Sequence, residues 1–151
     1  MISLRHLTKR FGSLTAVDDL SLDIGEGEFF AFLGPNAAGK TTTIKLITGL
    51  LKPTRGEVRI GGFDIRREPE KVKRLIGFVP DFPFMYDRLT PREFFAFVGD
   101  LFGMDRVRLE KNAAELESYF NLRGCADDYL ENLSHGTRQR VAIAAALLHD
   151  P

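Results

Sequence analysis

Gly34, Gly39, Lys40 and Thr41 stand in the run Gly-Pro-Asn-Ala-Ala-Gly-Lys-Thr, which fills the pattern GxxxxGK[ST] in full. The chemistry open to such a run is the capture of a polyphosphate. Across Gly34, Pro35, Asn36, Ala37, Ala38 and Gly39 the small residues let successive backbone N–H groups curl round phosphate oxygens. A following helix points its positive dipole end at the same anion. Lys40 adds a mobile full charge for β- and γ-phosphates, and the Thr41 hydroxyl is placed to ligate Mg²⁺, a hard cation that shares oxygen ligands with phosphates. With Gly at about 7% of ordinary sequence, a chance match of the four fixed positions arises on the order of once in a hundred chains of this length.

Elements of the required order surround the run. Glu28-Phe29-Phe30-Ala31-Phe32-Leu33 is continuously apolar after its first residue and short enough to predict a buried parallel strand. Lys40 to Leu50 carries Ile44, Ile47, Leu50 and Leu51 at helical spacing. Upstream, Ile2 to Leu7 alternates like a half-buried strand, a Lys9–Ser13 turn follows, and Val17, Leu20, Leu22 and Ile24 support a second strand ending at Gly25-Glu26-Gly27. Downstream, Pro53-Thr54-Arg55-Gly56 is turn chemistry before two short strands, 57–60 and 63–65. A short polar helix is expected over 68–74, a buried strand over 75–79, and an irregular aromatic-rich loop over 80–89.

Helices dominate beyond residue 90. Thr90-Pro91-Arg92-Glu93 reads as a capping box with Pro at the first helical position, and Phe94, Phe95, Phe97, Val98, Leu101 and Phe102 give that helix an apolar face. Gly103 ends it, and Leu109, Ala113, Leu116 and Phe120 mark a second amphipathic helix. The aromatic face reads as packing of a small helical lobe, with a docking surface as the alternative.

Composition bounds the classes. The chain has 151 residues, 44% of them hydrophobic, which suffices for one core. Lys+Arg and Asp+Glu both number 21, so no global field recruits nucleic acid or an anionic membrane, and no nucleic-acid partner is expected. The lone Cys125 cannot form an intramolecular disulfide and reads as a small filler. With no signal peptide or long apolar stretch, the expectation is a soluble cytoplasmic protein.

A second motif lies near the other end. Leu133-Ser134-His135-Gly136-Thr137-Arg138-Gln139-Arg140 precedes a small-residue helix, Val141 to Leu148, which must pack closely. Ser134 reads as an N-cap, and Gly136 leaves backbone N–H groups uncovered at a helix start, a second anion site.

With both motifs in this order, the chain resembles the ATP-binding cassette (ABC) transporter ATPases, whose signature LSGGQxQR corresponds to LSHGTRQR here. The resemblance covers Met1 to Pro151. It implies an α/β fold: a P-loop NTPase core with an N-terminal antiparallel β unit and a small helical lobe. Segments 1–89 (core and β unit), 90–135 (lobe ending in the signature) and 136–151 (signature helix) follow. It implies Mg²⁺ and ATP as cofactors, with phosphate-loop roles for Asn36, Gly39, Lys40, Thr41 and Thr42, and a family Gly where Ala37 stands. Phe11 matches the aromatic residue that stacks on adenine. Ser134 and Gly136 match the groups that close on the γ-phosphate held by a second ATPase subunit in a head-to-tail dimer. An integral membrane subunit is the other partner, with the ATPase on the inner face of the membrane.

Asp81 stands where the family has the Q-loop Gln, which helps hold Mg²⁺ and the attacking water; a carboxylate there keeps an oxygen ligand but adds negative charge. The resemblance places the Walker B strand, general-base Glu and switch His beyond Pro151. The expectation is therefore an incomplete ABC ATPase domain, hydrolysis-incompetent and of poor stability by itself, whose parent hydrolyses ATP to power a transporter, with a similarity-level hint of export. Two other readings stay open: a soluble ABC ATPase working on ribosomes or DNA, and a degenerate regulatory nucleotide-binding module.

Overall fold

The alternation that opens the chain becomes strand β1, Ile2–Phe11, which pairs antiparallel with β2, Leu14–Ile24, across the Gly12-Ser13 turn. In the computed structural model, which describes all residues from Met1 to Pro151, two compact units form, Met1–Leu75 and Ile76–Pro151. The first carries a four-stranded sheet of order β2-β1-β3-β4, with β3 at Arg55–Ile60 and β4 at Phe63–Asp64, every pair antiparallel. Leu4 and Leu7 of β1, Val17 and Ile24 of β2 and Val58 and Ile60 of β3 are buried with Leu46 of helix α1, Lys40–Ile47. Burying each such aliphatic side chain contributes about 1.5–3 kcal/mol. Helix α2, Pro69–Lys73, adds Val72 to that core.

The β1–β2 register shifts at three places, the first of them between Leu4 and Leu7. His6 and Asp19 both take positive φ, 47° and 46°, and the His6 Nδ1 and Asp19 Oδ1 atoms lie 2.9 Å apart where the β1–β2 register shifts. On the other side of β1, Gly56 at φ 81° passes so near the Arg5 and His6 carbonyls that a Cβ has no room. The bulge breaks the alternation after Leu4 and re-aims Leu7 into the core.

The second unit is helical. Helices α3 (Pro91–Leu101), α4 (Arg106–Tyr119) and α5 (His135–Leu147) enclose Phe94, Phe95, Leu122, Leu130, Val141, Ala144 and Leu148. The expected capping box forms: Glu93 N donates to Thr90 Oγ1 at 3.2 Å and Thr90 N to Glu93 Oε2 at 2.8 Å. Gly99 lets α3 approach Leu109 of α4, where an added Cβ would meet its Cδ1 at 2.6 Å. Ala142, Ala144 and Ala145 are buried, as the small-residue run requires.

Two expected strands do not form. Glu28–Leu33 and Ile76–Val79 make no backbone-to-backbone hydrogen bonds, and Phe29 and Leu33 are 96% and 91% exposed. Apolar runs become parallel strands only where neighbours supply a ladder on each side. The sheet here is antiparallel, and neither run joins it.

Candidate functional site

The phosphate loop is built between two conformational constraints. Ala37 and Gly39 both take left-handed backbone angles, φ 66° and 83°, and a turn bond from Ala38 N to the Pro35 carbonyl (3.3 Å) closes the loop. Gly39 lies directly against the Ala16 carbonyl of β2, so that a side chain there would strike backbone. The chain then enters α1, which no side chain caps. Its first-turn N–H groups therefore face outward without an intrahelical partner, which is the arrangement that receives an anion. Thr43 Oγ1, one turn in, instead returns to the Gly39 carbonyl at 3.0 Å and fixes the start of the helix.

Lys40 Nζ donates to the carbonyls of Gly34 and Pro35, both at 2.6 Å. The ammonium is thus folded over its own loop, where phosphate oxygens could exchange for these two carbonyls. Gly34, Pro35, Asn36, Ala37, Ala38 and Thr41 are exposed, and Thr42 is half-buried. The Thr41 hydroxyl is a hard oxygen donor at the helix start, a donor type suited to Mg²⁺. Phe11, at the end of β1, is about half exposed, and Lys9 Nζ lies 4.9 Å from its ring centroid while donating to the Lys52 carbonyl at 2.8 Å. The cation holds the ring from one side. All these residues belong to the first unit.

Ser134, Gly136 and Asp81 belong to the second. Ser134 caps α5, its Oγ accepting from Thr137 N at 3.2 Å and sharing a hydrogen bond with Thr137 Oγ1 at 2.9 Å. Gly136 has open space where a Cβ would stand. Asp81 is exposed at the start of the aromatic loop. No cluster of three or more His, Cys, Asp or Glu side chains is arranged to hold a metal. Burial pushes the Cys125 thiol above its ordinary range, and its Sγ lies 3.3 Å from the Leu122 carbonyl, consistent with a packing residue.

Sequence reasoning missed Lys9, Ala16, Asp87 and Arg138. A lysine two residues before an exposed aromatic in a strand was the available signal for Lys9, since i and i+2 share a face. Nothing in the sequence pairs Ala16 with Gly39 or Asp87 with Arg138, because those contacts are made across the fold.

A left-handed glycine before an uncapped helix in the first unit and a Ser-capped helix start in the second carry the two sequence motifs. The chain belongs to the ABC transporter family, whose model matches residues 17–151. It is 38% identical over its whole length to the linearmycin resistance ATP-binding protein LnrL of Bacillus subtilis, covering 49% of that protein. It is 39% identical to the spermidine/putrescine import ATP-binding protein PotA of Rubrobacter xylanophilus, with 99% of this chain and 40% of that one aligned. Among solved structures, a dimeric ATP-binding cassette in a post-hydrolysis state with ADP and Pi superposes with a TM-score of 0.84 at 31% identity, over all of this chain and 71% of that one. The chain thus spans about half the length of the curated relatives it matches, and no helix is long and apolar enough to cross a membrane.

Proposed function

We propose that these residues form the nucleotide-binding part of an ATPase subunit that powers a membrane transporter. The observation that carries this reading is the uncapped start of α1 behind Gly39, with the Lys40 ammonium already poised over the loop. In this reading the β- and γ-phosphates of ATP displace the Gly34 and Pro35 carbonyls from Lys40 and take the free N–H groups of Gly39 to Thr42. Phe11 stacks on the adenine. Thr41 would hold Mg²⁺, which would neutralise charge building on the phosphates, and Asp81 at the Q-loop position is the further oxygen ligand that the family resemblance implies.

Ser134 and Gly136 serve a nucleotide held by a second copy, head to tail, so each copy gives half of two sites. The segments then divide by role, 1–89 for nucleotide binding, 90–135 for the lobe and 136–151 for the signature helix. Phe82, Phe84, Tyr86 and Phe97 leave apolar surface exposed in the unit Ile76–Pro151, which suits a cytoplasmic helix of an integral membrane subunit. The peripheral position on the inner face follows from that partner. Export is the direction proposed, on the likeness of residues 41–45 and 49–57 to exporter subunits; the whole-chain comparisons are neutral on it, since an import protein at 39% identity is as similar as the resistance protein at 38%.

The test uses the full-length protein. Lys40→Ala should weaken MgATP binding at least tenfold by removing a charge-assisted contact. Ser134→Arg should leave binding to the monomer intact and abolish ATP-driven dimerisation. Unchanged MgATP affinity in Lys40→Ala would sink the phosphate-site assignment.

A further inference from the structure

The loop that bears the exposed aromatics is tied to the first turn of α5 by one ion pair and to the preceding Leu130–Asn132 turn by three further bonds. Arg138 Nη2 meets Asp87 Oδ1 at 2.7 Å, and the Arg138 side chain is largely covered, at 29% exposure. Beside it, Glu131 N donates to the Asp87 carbonyl at 3.1 Å and Leu130 N to the Leu89 carbonyl at 2.9 Å. Arg88 Nη1 pairs with Glu131 Oε1 at 2.8 Å. Beneath these bonds Met85 is buried in the same cluster as Leu130, with Leu89 and Leu133 packed against it.

On its outer side the loop carries Phe82 and Phe84, while Tyr86 makes edge-to-face contacts with Phe84 (5.7 Å) and Phe97 (5.2 Å). On its inner side, the Arg138 amide donates to the Ser134 carbonyl at 2.9 Å. One ion pair and one helical turn therefore separate Asp87, flanked by the aromatics, from the Ser134 cap. A charge pair at this exposure adds little to stability, so its consequence is geometric: it fixes where the first turn of α5 sits relative to the loop.

We propose that Asp87 and Arg138 are positioning residues that strap the aromatic loop, 80–89, to the first turn of α5. The two segments respond as one body, and displacement at the aromatic surface reaches Ser134 and Gly136. The proposal rests on the reading that Ser134 and Gly136 close on nucleotide held by a second copy. Coupling of this kind needs contiguous contacts and is reciprocal: closure at Ser134 must also quieten the loop.

That reciprocity supplies the experiment. Amide hydrogen exchange is followed in the full-length protein with and without the slowly hydrolysed analogue MgATPγS, at segments 80–89 and 132–140. In the wild type, the analogue should slow exchange in both. In Asp87→Asn it should still slow 132–140, while slowing at 80–89 falls at least threefold. The charge exchange Asp87→Arg with Arg138→Asp should restore it. Melting temperature and monomer affinity for the analogue should stay at wild-type values, which a purely structural role would not allow. Slowing at 80–89 that is absent in the wild type, or undiminished in Asp87→Asn, overturns the strap alone. A joint fall in melting temperature and analogue affinity in Asp87→Asn overturns it too. Exchange at 132–140 that the analogue leaves unchanged in the wild type overturns the composite-site reading, and the strap with it.

Discussion

The Phe102 ring lies flat on the imidazole of His149, centroids 3.8 Å apart and planes within 9°. His149 is buried there and neither ring nitrogen has a hydrogen-bond partner. Burial is the main cause that pushes its pKa below the ordinary value of 6.5, while the nearby Ile76 backbone opposes the shift without completing a hydrogen bond. The Arg108 guanidinium adds to the lowering and the Asp150 carboxylate opposes it. The unfolded chain therefore binds this proton more readily than the folded one. The stability that neutral His149 contributes is present above the ordinary imidazole pKa and is lost as pH falls below it. Thermal unfolding followed from neutral pH to pH 5 should show a falling midpoint, and His149→Phe should flatten that fall. An equal slope in the variant would remove His149 as its source.

Gly39 is the position at which the phosphate loop tolerates least. It combines φ 83° with the Ala16 carbonyl at its Cα, so Gly39→Ala meets both backbone strain and an obstacle that cannot rotate away. Left-handed strain alone costs about 1–3 kcal/mol in a residue with a Cβ. Urea unfolding should place the loss above about 2 kcal/mol. MgATP affinity should fall with it, because the loop must shift away from β2.

Ala37 is the contrasting case, since it occupies φ 66° with a methyl group already present. Ala37→Gly should raise stability by about 0.5–1 kcal/mol, the strain relieved less the added freedom of the unfolded chain. Ala37→Val should lower it, because a β-branched residue resists that region more. A urea series on the three proteins orders them Gly, Ala, Val if the left-handed angle governs.

What was legible in the sequence was local. The Thr90–Glu93 capping box, the Ser134 cap and the antiparallel β1–β2 pair rest on side chains bonding a few residues away or on alternation, whereas Arg55 and Gly56, expected in a turn, already belong to β3. Asp105, which caps α4 by accepting from Arg108 N at 2.9 Å, carries the same local signal. The apolar runs at 28–33 and 75–79 were legible as strand-forming but not as strands. A strand exists only through its ladder, and apolar pattern says nothing of whether a neighbour stands within reach.

The sequence by itself determined the phosphate-loop residues, the Ser134–Gly136 signature and the family they share, because backbone freedom at glycine, a helix start and a fixed lysine spacing are written in consecutive residues. The tertiary structure alone decided that Gly39 abuts Ala16, that His149 loses its water against Phe102, and that Asp87 reaches Arg138 across 51 positions. Each of those depends on elements distant in the chain being brought into contact, and contact between them is chosen by packing of the core rather than by any local preference.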